Sequence, residues 1–222
     1  MKAETYIEYV TTAVGSTPYG APIHAATLAD NLAEVFQIDL GKARRMTNVY
    51  LGRLIDSGLI ARVAHGIYAR AEESVFGIAV PGRDKIIAAT FLYDSDETIG
   101  YETGASSLNQ LGLSTLIPAK RHIATNRYRS AAPDYSGIVL KRPLVHVTTR
   151  NAPYLQMVEA LRDMRNYPID AYNPKELIEV AVERRGLDWE ELVRYAHAYL
   201  KPDELHDAVG IIFGRLKKYE AA

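Results

Sequence analysis

Apolar positions recur every three or four residues from about 40 to 57, and every second residue directly afterwards. The first pattern predicts a long helix and the second a tight β-hairpin, so Gln37–Arg70 is the stretch around which the chain is organised. Asp39 is placed to cap the helix, since its short side-chain oxygen accepts from a free backbone N–H. Ala43, Met46, Tyr50 and Leu54 fall on one face, expected to be buried. At about 100° per residue, Arg45 and Asn48 fall opposite, flanked by Lys42 and Arg44. Gly52 continues that outer face without a side chain, which admits a close approach. Ser57-Gly58 is a stop, with Gly58 in the left-handed position and Leu59 folding back on the last turn. Leu59, Ile60, Val63, Ile67 and Tyr68 then form two arms around Ala64-His65-Gly66, where Gly66 supplies the positive φ of a three-residue turn.

The same patterns place a helix over residues 4–14, with Ile7, Val10 and Val14 on one face, and a second over Ala25–Phe36. Leu28, Leu32, Val35 and Phe36 give the second its apolar side. Residues 15–23, rich in Gly and Pro, read as a loop between them. A linker follows over 71–82 and a helix over Arg83–Tyr93. Thr103 is placed to cap a short helix ending at Leu111, with Gly112 as its stop. Strands are expected at Arg121–Thr125, Gly137–Lys141 and Leu144–Thr148, with turns at Asn126, Pro133, Asp134, Ser136 and Pro143. Helices close the chain: Asn151–Met164, one opened by Asn173-Pro174, one by Asp188-Trp189, and a last one from Pro202 that ends in Arg215, Lys217 and Lys218. The fold class is therefore α+β. A winged helix-turn-helix occupies residues 1–72, and a mixed domain with a small sheet and several helices occupies 73–222.

Charge sharpens this picture. The whole chain of 222 residues carries a net charge of −1. Residues 38–70 hold six Lys/Arg against two acids, and residues 118–150 hold seven against the single Asp134. In the first block, Lys42, Arg44, Arg45, Asn48, Arg53, Arg62, His65 and Arg70 are the expected DNA contacts. Arg45 and Asn48 would face base edges, and the other cations phosphate. The second block (Lys120, Arg121, Arg127, Tyr128, Arg129, Lys141 and Arg142) is a candidate second nucleic-acid surface, with Tyr128 set between two arginines. A solvated loop is the alternative reading of Tyr128. Winged helices also serve as protein-interaction adaptors, which remains open.

Other classes find little support. There is no P-loop, no dinucleotide-binding glycine motif, no nucleophile elbow and no paired histidines, so no catalytic residue, metal or cofactor is expected. Glu102, Ser106, Ser107 and Asn109 cluster near one short helix without a nearby histidine, and their helix-forming role outweighs a catalytic one. With no cysteine, no apolar run of about 18 residues and an acidic amphipathic start, a cytoplasmic protein without a membrane segment is expected.

Two segments carry a family resemblance. VYLGRLIDSGLIARVAHGIYAR (Val49–Arg70) and GYETGASSLNQLGLSTLIPAKRHIATNRYR (Gly100–Arg129) resemble the AbiEi antitoxins of type IV toxin–antitoxin systems, linked to abortive phage infection. The resemblance runs from about residue 25 to 160 and is most specific over GASSLNQLGLSTLIPAK, residues 104–120. It implies a winged helix that binds inverted repeats in the operon's own promoter and represses it. It also implies a C-terminal domain needed to counter a nucleotidyltransferase-like toxin encoded nearby, without direct grip on the toxin. Only Lys42, Arg44, Arg45, Asn48, Arg53, Arg62 and Arg70 carry over from it as DNA contacts. A stand-alone regulator without a toxin partner is the alternative, and oligomeric state stays open.

Overall fold

The computed structural model describes residues 5–75, 77–130, 135, 137–208 and 210. Pro133, Asp134, Ser136, Arg215, Lys217 and Lys218 lie outside the described residues. The chain is of the α+β class and divides into two units, Met1–Thr90 and Phe91–Ala222, a later boundary than the expected one after residue 72.

In the first unit, α1 (Tyr6–Ser16) starts at Thr5, whose hydroxyl accepts from the Glu8 N–H while Glu8 reaches back to the Thr5 N–H. This reciprocal capping box satisfies two otherwise orphan donors. Then come β1 (Pro22–His24), α2 (Ala25–Phe36), α3 (Leu40–Asp56), β2 (Ile60–Ala64) and β3 (Ile67–Arg70). The three strands form an antiparallel sheet in the order β1-β3-β2. α2 and α3 are joined by the short turn Gln37–Asp39, where Gln37 takes left-handed backbone at φ 50°. A core of Val10, Val14, Ile23, Leu28, Leu32, Leu51, Leu54, Ile60 and Tyr68 unites the helices with the sheet. Phe36 closes one side, edge-on to Tyr6 with ring centroids 4.7 Å apart. Two residues expected in this core are exposed instead: Ile7 at 40% and Val35 at 50%. Tyr6, Tyr9 and Ala29 pack inward in their place. The unit continues with the hairpin β4 (Glu72–Ser74) and β5 (Gly77–Ala79), which occupies the expected linker.

α4 (Arg83–Phe91) leads into the second unit, which begins with the small hairpin of β6 (Tyr93–Asp94) and β7 (Glu97–Thr98). β8 (Gly100–Thr103), α5 (Ala105–Gln110), β9 (Arg121–Thr125) and β10 (Ile138–Lys141) follow. The sheet order is β10-β9-β8, with β10 parallel and β8 antiparallel to β9. Two expectations fail here. Thr103 is a strand residue, and Gly104 takes the N-cap position of α5. Leu144–Thr148 is not a strand; its backbone pairs instead with a side chain, Asn126, which exchanges two 2.8 Å hydrogen bonds with the N–H and C=O of Val147. Asn126 thus supplies the donor and acceptor that a neighbouring strand would have offered.

α6 (Ala152–Asp163), α7 (Pro174–Arg184) and α8 (Trp189–Tyr199) complete the unit, with further helix over 202–208. Asn173 and Asp188 cap α7 and α8 as the sequence indicates. Leu108, Leu113, Met157, Leu161, Ile178, Val182 and Leu192 form the helical core. α6 is buried on nearly every side and carries two acids inward, Glu159 and Asp163.

Candidate nucleic-acid interface

The candidate interface is built on α3. The Asp39 carboxylate accepts from the Lys42 N–H at 2.9 Å and fixes where the helix begins. At the other end, the Gly58 N–H donates to Ile55 and the Leu59 N–H to Leu54, with Gly58 at φ 74°. This doubly bonded stop satisfies two terminal carbonyls and sends the chain directly into β2. The inward face is Ala43, Thr47, Leu51 and Leu54. Met46 and Tyr50, expected at its centre, are its half-buried flank. Thr47 and Leu51 were missed because a hydroxyl and an adjacent Tyr blurred the stripe.

The rotation leaves the outer face as expected. Arg44, Arg45 and Asn48 are all exposed, and Val49 adds an apolar patch at 49% exposure. Gly52 sits on that face with nothing within 4 Å of where a Cβ would stand. Lys42 and Arg53 lie at the margins, each over a tyrosine: the Lys42 ammonium is 5.7 Å from the Tyr6 ring centre, and the Arg53 guanidinium 5.5 Å from that of Tyr50. These contacts hold the two long side chains without neutralising them.

The hairpin tip is tighter than expected. Ala64 pairs with Ile67, so only His65 and Gly66 form the loop, and a bulge at Val63 absorbs the extra residue. Gly66 takes left-handed backbone at φ 67°, which glycine adopts without steric cost. Arg62 lies 3.5 Å from the His65 ring, Nη2 to Nδ1. Arg83 donates from Nε to the Val63 carbonyl at 3.4 Å and brings a further cation to this arm. Nothing local in the sequence marked Arg83, because twenty residues separate it from Val63.

Arg70 belongs elsewhere. It pairs in register with Ile60 at the open end of the hairpin, away from the tip. Its Nη1 donates to the Gly15 carbonyl at 2.8 Å, and it forms an ion pair with Glu72. It ties α1 to the sheet.

Several cations of the second basic block have partners of their own. Arg121 is bound to Glu102, which is 8% exposed. Arg127 pairs with Asp94 at 2.8 Å. Arg142 stands over the Tyr128 ring at 5.8 Å, while Lys120 and Arg129 are exposed. Lys141 is half-buried beside His122, whose pKa is lowered by burial first and by the Lys141 charge second. Of the short-helix cluster, Asn109 donates to the Ser114 carbonyl at 3.1 Å, and the buried Ser106 and Ser107 hydroxyls have no hydrogen-bond partner among the described residues.

A polar network invisible in the sequence lies between β8 and α6. Glu159 receives the hydroxyls of Tyr101 and Thr103 and the guanidinium of Arg162, at 3.0 Å for the last. Asp163 receives the Gly104 N–H at 2.9 Å. Among the described residues, no helix is long and apolar enough to cross a membrane, and no group of three or more acids and histidines stands ready for a metal.

A family model described as a family of unknown function (DUF6088) matches residues 32–128, from the end of α2 to just past β9. No curated protein matches the chain. The chain is thus similar, over the α3 and hairpin stretch and the β8–β9 stretch, to a family whose description carries no activity.

Proposed function

We propose that the first unit is a winged helix-turn-helix that binds duplex DNA. On this reading the protein is a cytoplasmic transcriptional regulator that represses its own promoter and serves as the antitoxin of a type IV toxin–antitoxin system. The order helix–strand–helix–helix–strand–strand, with the sheet ordered β1-β3-β2, supports the fold reading. The observation that carries the DNA reading is the outer face of α3. Arg44, Arg45 and Asn48 stand exposed there beside a glycine with open space above it. A helix of this kind fits the major groove. Arg45 and Asn48 present the forked donors and the amide that read guanine and adenine edges. Lys42, Arg53, Arg62 and His65 reach phosphates and set register without reading sequence. Arg83 joins this set at the hairpin, and Arg70 leaves it.

The antitoxin role rests on the resemblance of residues 49–70 and 100–129, with the second unit as the part that counters a nucleotidyltransferase-like toxin. The test has two stages. Purified protein is titrated with its own upstream DNA and with scrambled DNA at two salt concentrations. Selective binding that weakens steeply with salt supports the regulator, because each neutralised phosphate releases counterions. Equal, weak binding to both DNAs refutes it and favours a protein-interaction adaptor. Co-expression with the neighbouring gene then reads the antitoxin role: failure to relieve growth arrest leaves a stand-alone regulator.

A further inference from the structure

The outer face of α3 carries an apolar group that its charge does not explain. Val49 stands at the centre of that face, 49% exposed, one turn beyond Arg45 and beside Asn48. Long charged side chains one turn away ordinarily lie across such a group and cover it. Here both turn aside. The Arg45 guanidinium folds back toward the start of the helix, its Nη1 3.6 Å from where a Cβ on Gly41 would stand. The Arg53 guanidinium sits 5.5 Å from the Tyr50 ring centre. Gly52 has no side chain to offer and open space above it. Val49 is left bare between two displaced cations and a glycine.

The inference rests on the DNA reading and specifies what this helix reads. In the major groove, base edges present hydrogen-bond donors and acceptors and one kind of apolar group, the C5-methyl of thymine. Arg45 and Asn48 match the polar edges, and Val49 matches only the methyl. Its branched side chain holds one χ1 rotamer in a helix, so little freedom is lost on contact. Asp56 is exposed on the same side two turns further on, and its carboxylate repels phosphate. It confines the contact to the earlier part of the helix, where Val49 lies.

We propose that Val49 is a specificity-determining residue that packs against a thymine C5-methyl. Val49 follows Arg45 by one helical turn, about 6 Å along the axis, and successive base pairs are about 3.4 Å apart. The thymine therefore lies within about two base-pair steps of the base that Arg45 reads.

The test is a titration of the full chain with its own upstream duplex, with scrambled DNA, and with copies of the upstream duplex in which single thymines are replaced by deoxyuridine. Deoxyuridine lacks only the methyl and keeps every hydrogen-bonding edge. Wild type is expected to lose about threefold to tenfold in affinity at one or more of these positions, the scale of a buried methyl contact. Val49→Ser removes the apolar group at nearly the same helix propensity, and thermal melting checks its folding. It should bind the thymine and deoxyuridine duplexes alike at those positions. Selective binding of the upstream duplex that no deoxyuridine disturbs overturns the proposal and leaves the DNA reading standing. An equal deoxyuridine loss in wild type and Val49→Ser also overturns it, by placing the methyl against another residue. Binding no tighter to the upstream duplex than to scrambled DNA refutes the DNA reading itself, and the proposal with it.

Discussion

The Tyr101 hydroxyl donates to the Glu159 carboxylate at 2.9 Å inside the second unit, with Tyr101 4% exposed and Glu159 2%. Tyr101 stands on the face of β8 that meets α6, and the bond joins residues 58 positions apart in sequence. Burial, then the Glu159 charge, push the phenol well above its ordinary pKa, so it stays a donor at any working pH. Tyr101→Phe removes one of the groups holding a buried carboxylate and should cost about 1–3 kcal/mol. Urea unfolding checks this. A variant as stable as wild type would mean that Thr103 and Arg162 already satisfy Glu159.

His122 sets a pH dependence. Burial and Lys141 lower its pKa below the ordinary 6.5, with Asp163 opposing. The unfolded chain therefore binds a proton at a pH where the folded chain does not. Stability from this group is fully present above 6.5 and is lost as pH falls through that value toward the folded pKa. His122→Gln should flatten the decline in unfolding free energy between about pH 7.5 and about pH 5.5. Equal slopes in variant and wild type would refute the assignment.

Two glycines should respond in opposite directions. A Cβ at Gly100 would stand 2.2 Å from the Phe91 carbonyl oxygen and 2.7 Å from that of Ala124, and neither backbone atom can yield cheaply. Gly100→Ala is expected to destabilise the second unit by about 2 kcal/mol or more. Gly52→Ala meets nothing within 4 Å in mid-helix, so it should stabilise by roughly 0.5–1 kcal/mol. On the DNA reading the same methyl obstructs the groove, so stability rises while operator affinity falls. Melting and DNA titration of both variants read the two effects separately.

Three arginines of the first unit should separate by role. Arg45→Ala should leave stability unchanged and reduce discrimination between operator and scrambled DNA by about 1–3 kcal/mol. Arg62→Ala should weaken both DNAs alike and lower the salt slope by about one unit. Arg70→Ala should lower the melting temperature, through loss of its bonds to Gly15 and Glu72, and leave operator selectivity intact. Operator binding by Arg45→Ala equal to wild type would remove α3 from the groove.

Much of the local architecture is written in short-range chemistry. The caps at Asp39, Asn173 and Asp188, the limits of Ala25–Phe36 and the stop at Gly58 are all legible. All but the start of Ala25–Phe36, where the Ala25 N–H donates to the distant Gly66 carbonyl, depend on hydrogen bonds reaching three to five residues along the chain, so neighbours in sequence are the partners in space. The exposed face of α3, and with it Arg45 and Asn48, follows from the same helical period. What needs a distant partner was out of reach. Pro22–His24 and Gly100–Thr103 are strands too short to show a period, and they exist because β3 and β9 lie alongside to take their backbone groups. Leu144–Thr148 has the composition of a strand and none of its pairing, because the Asn126 side chain meets it first. Arg70 and Arg62 look alike in a charge count. Only the register of the hairpin sends one to Gly15 and the other to the tip, since charge is a property of a residue and its use a property of what folds against it.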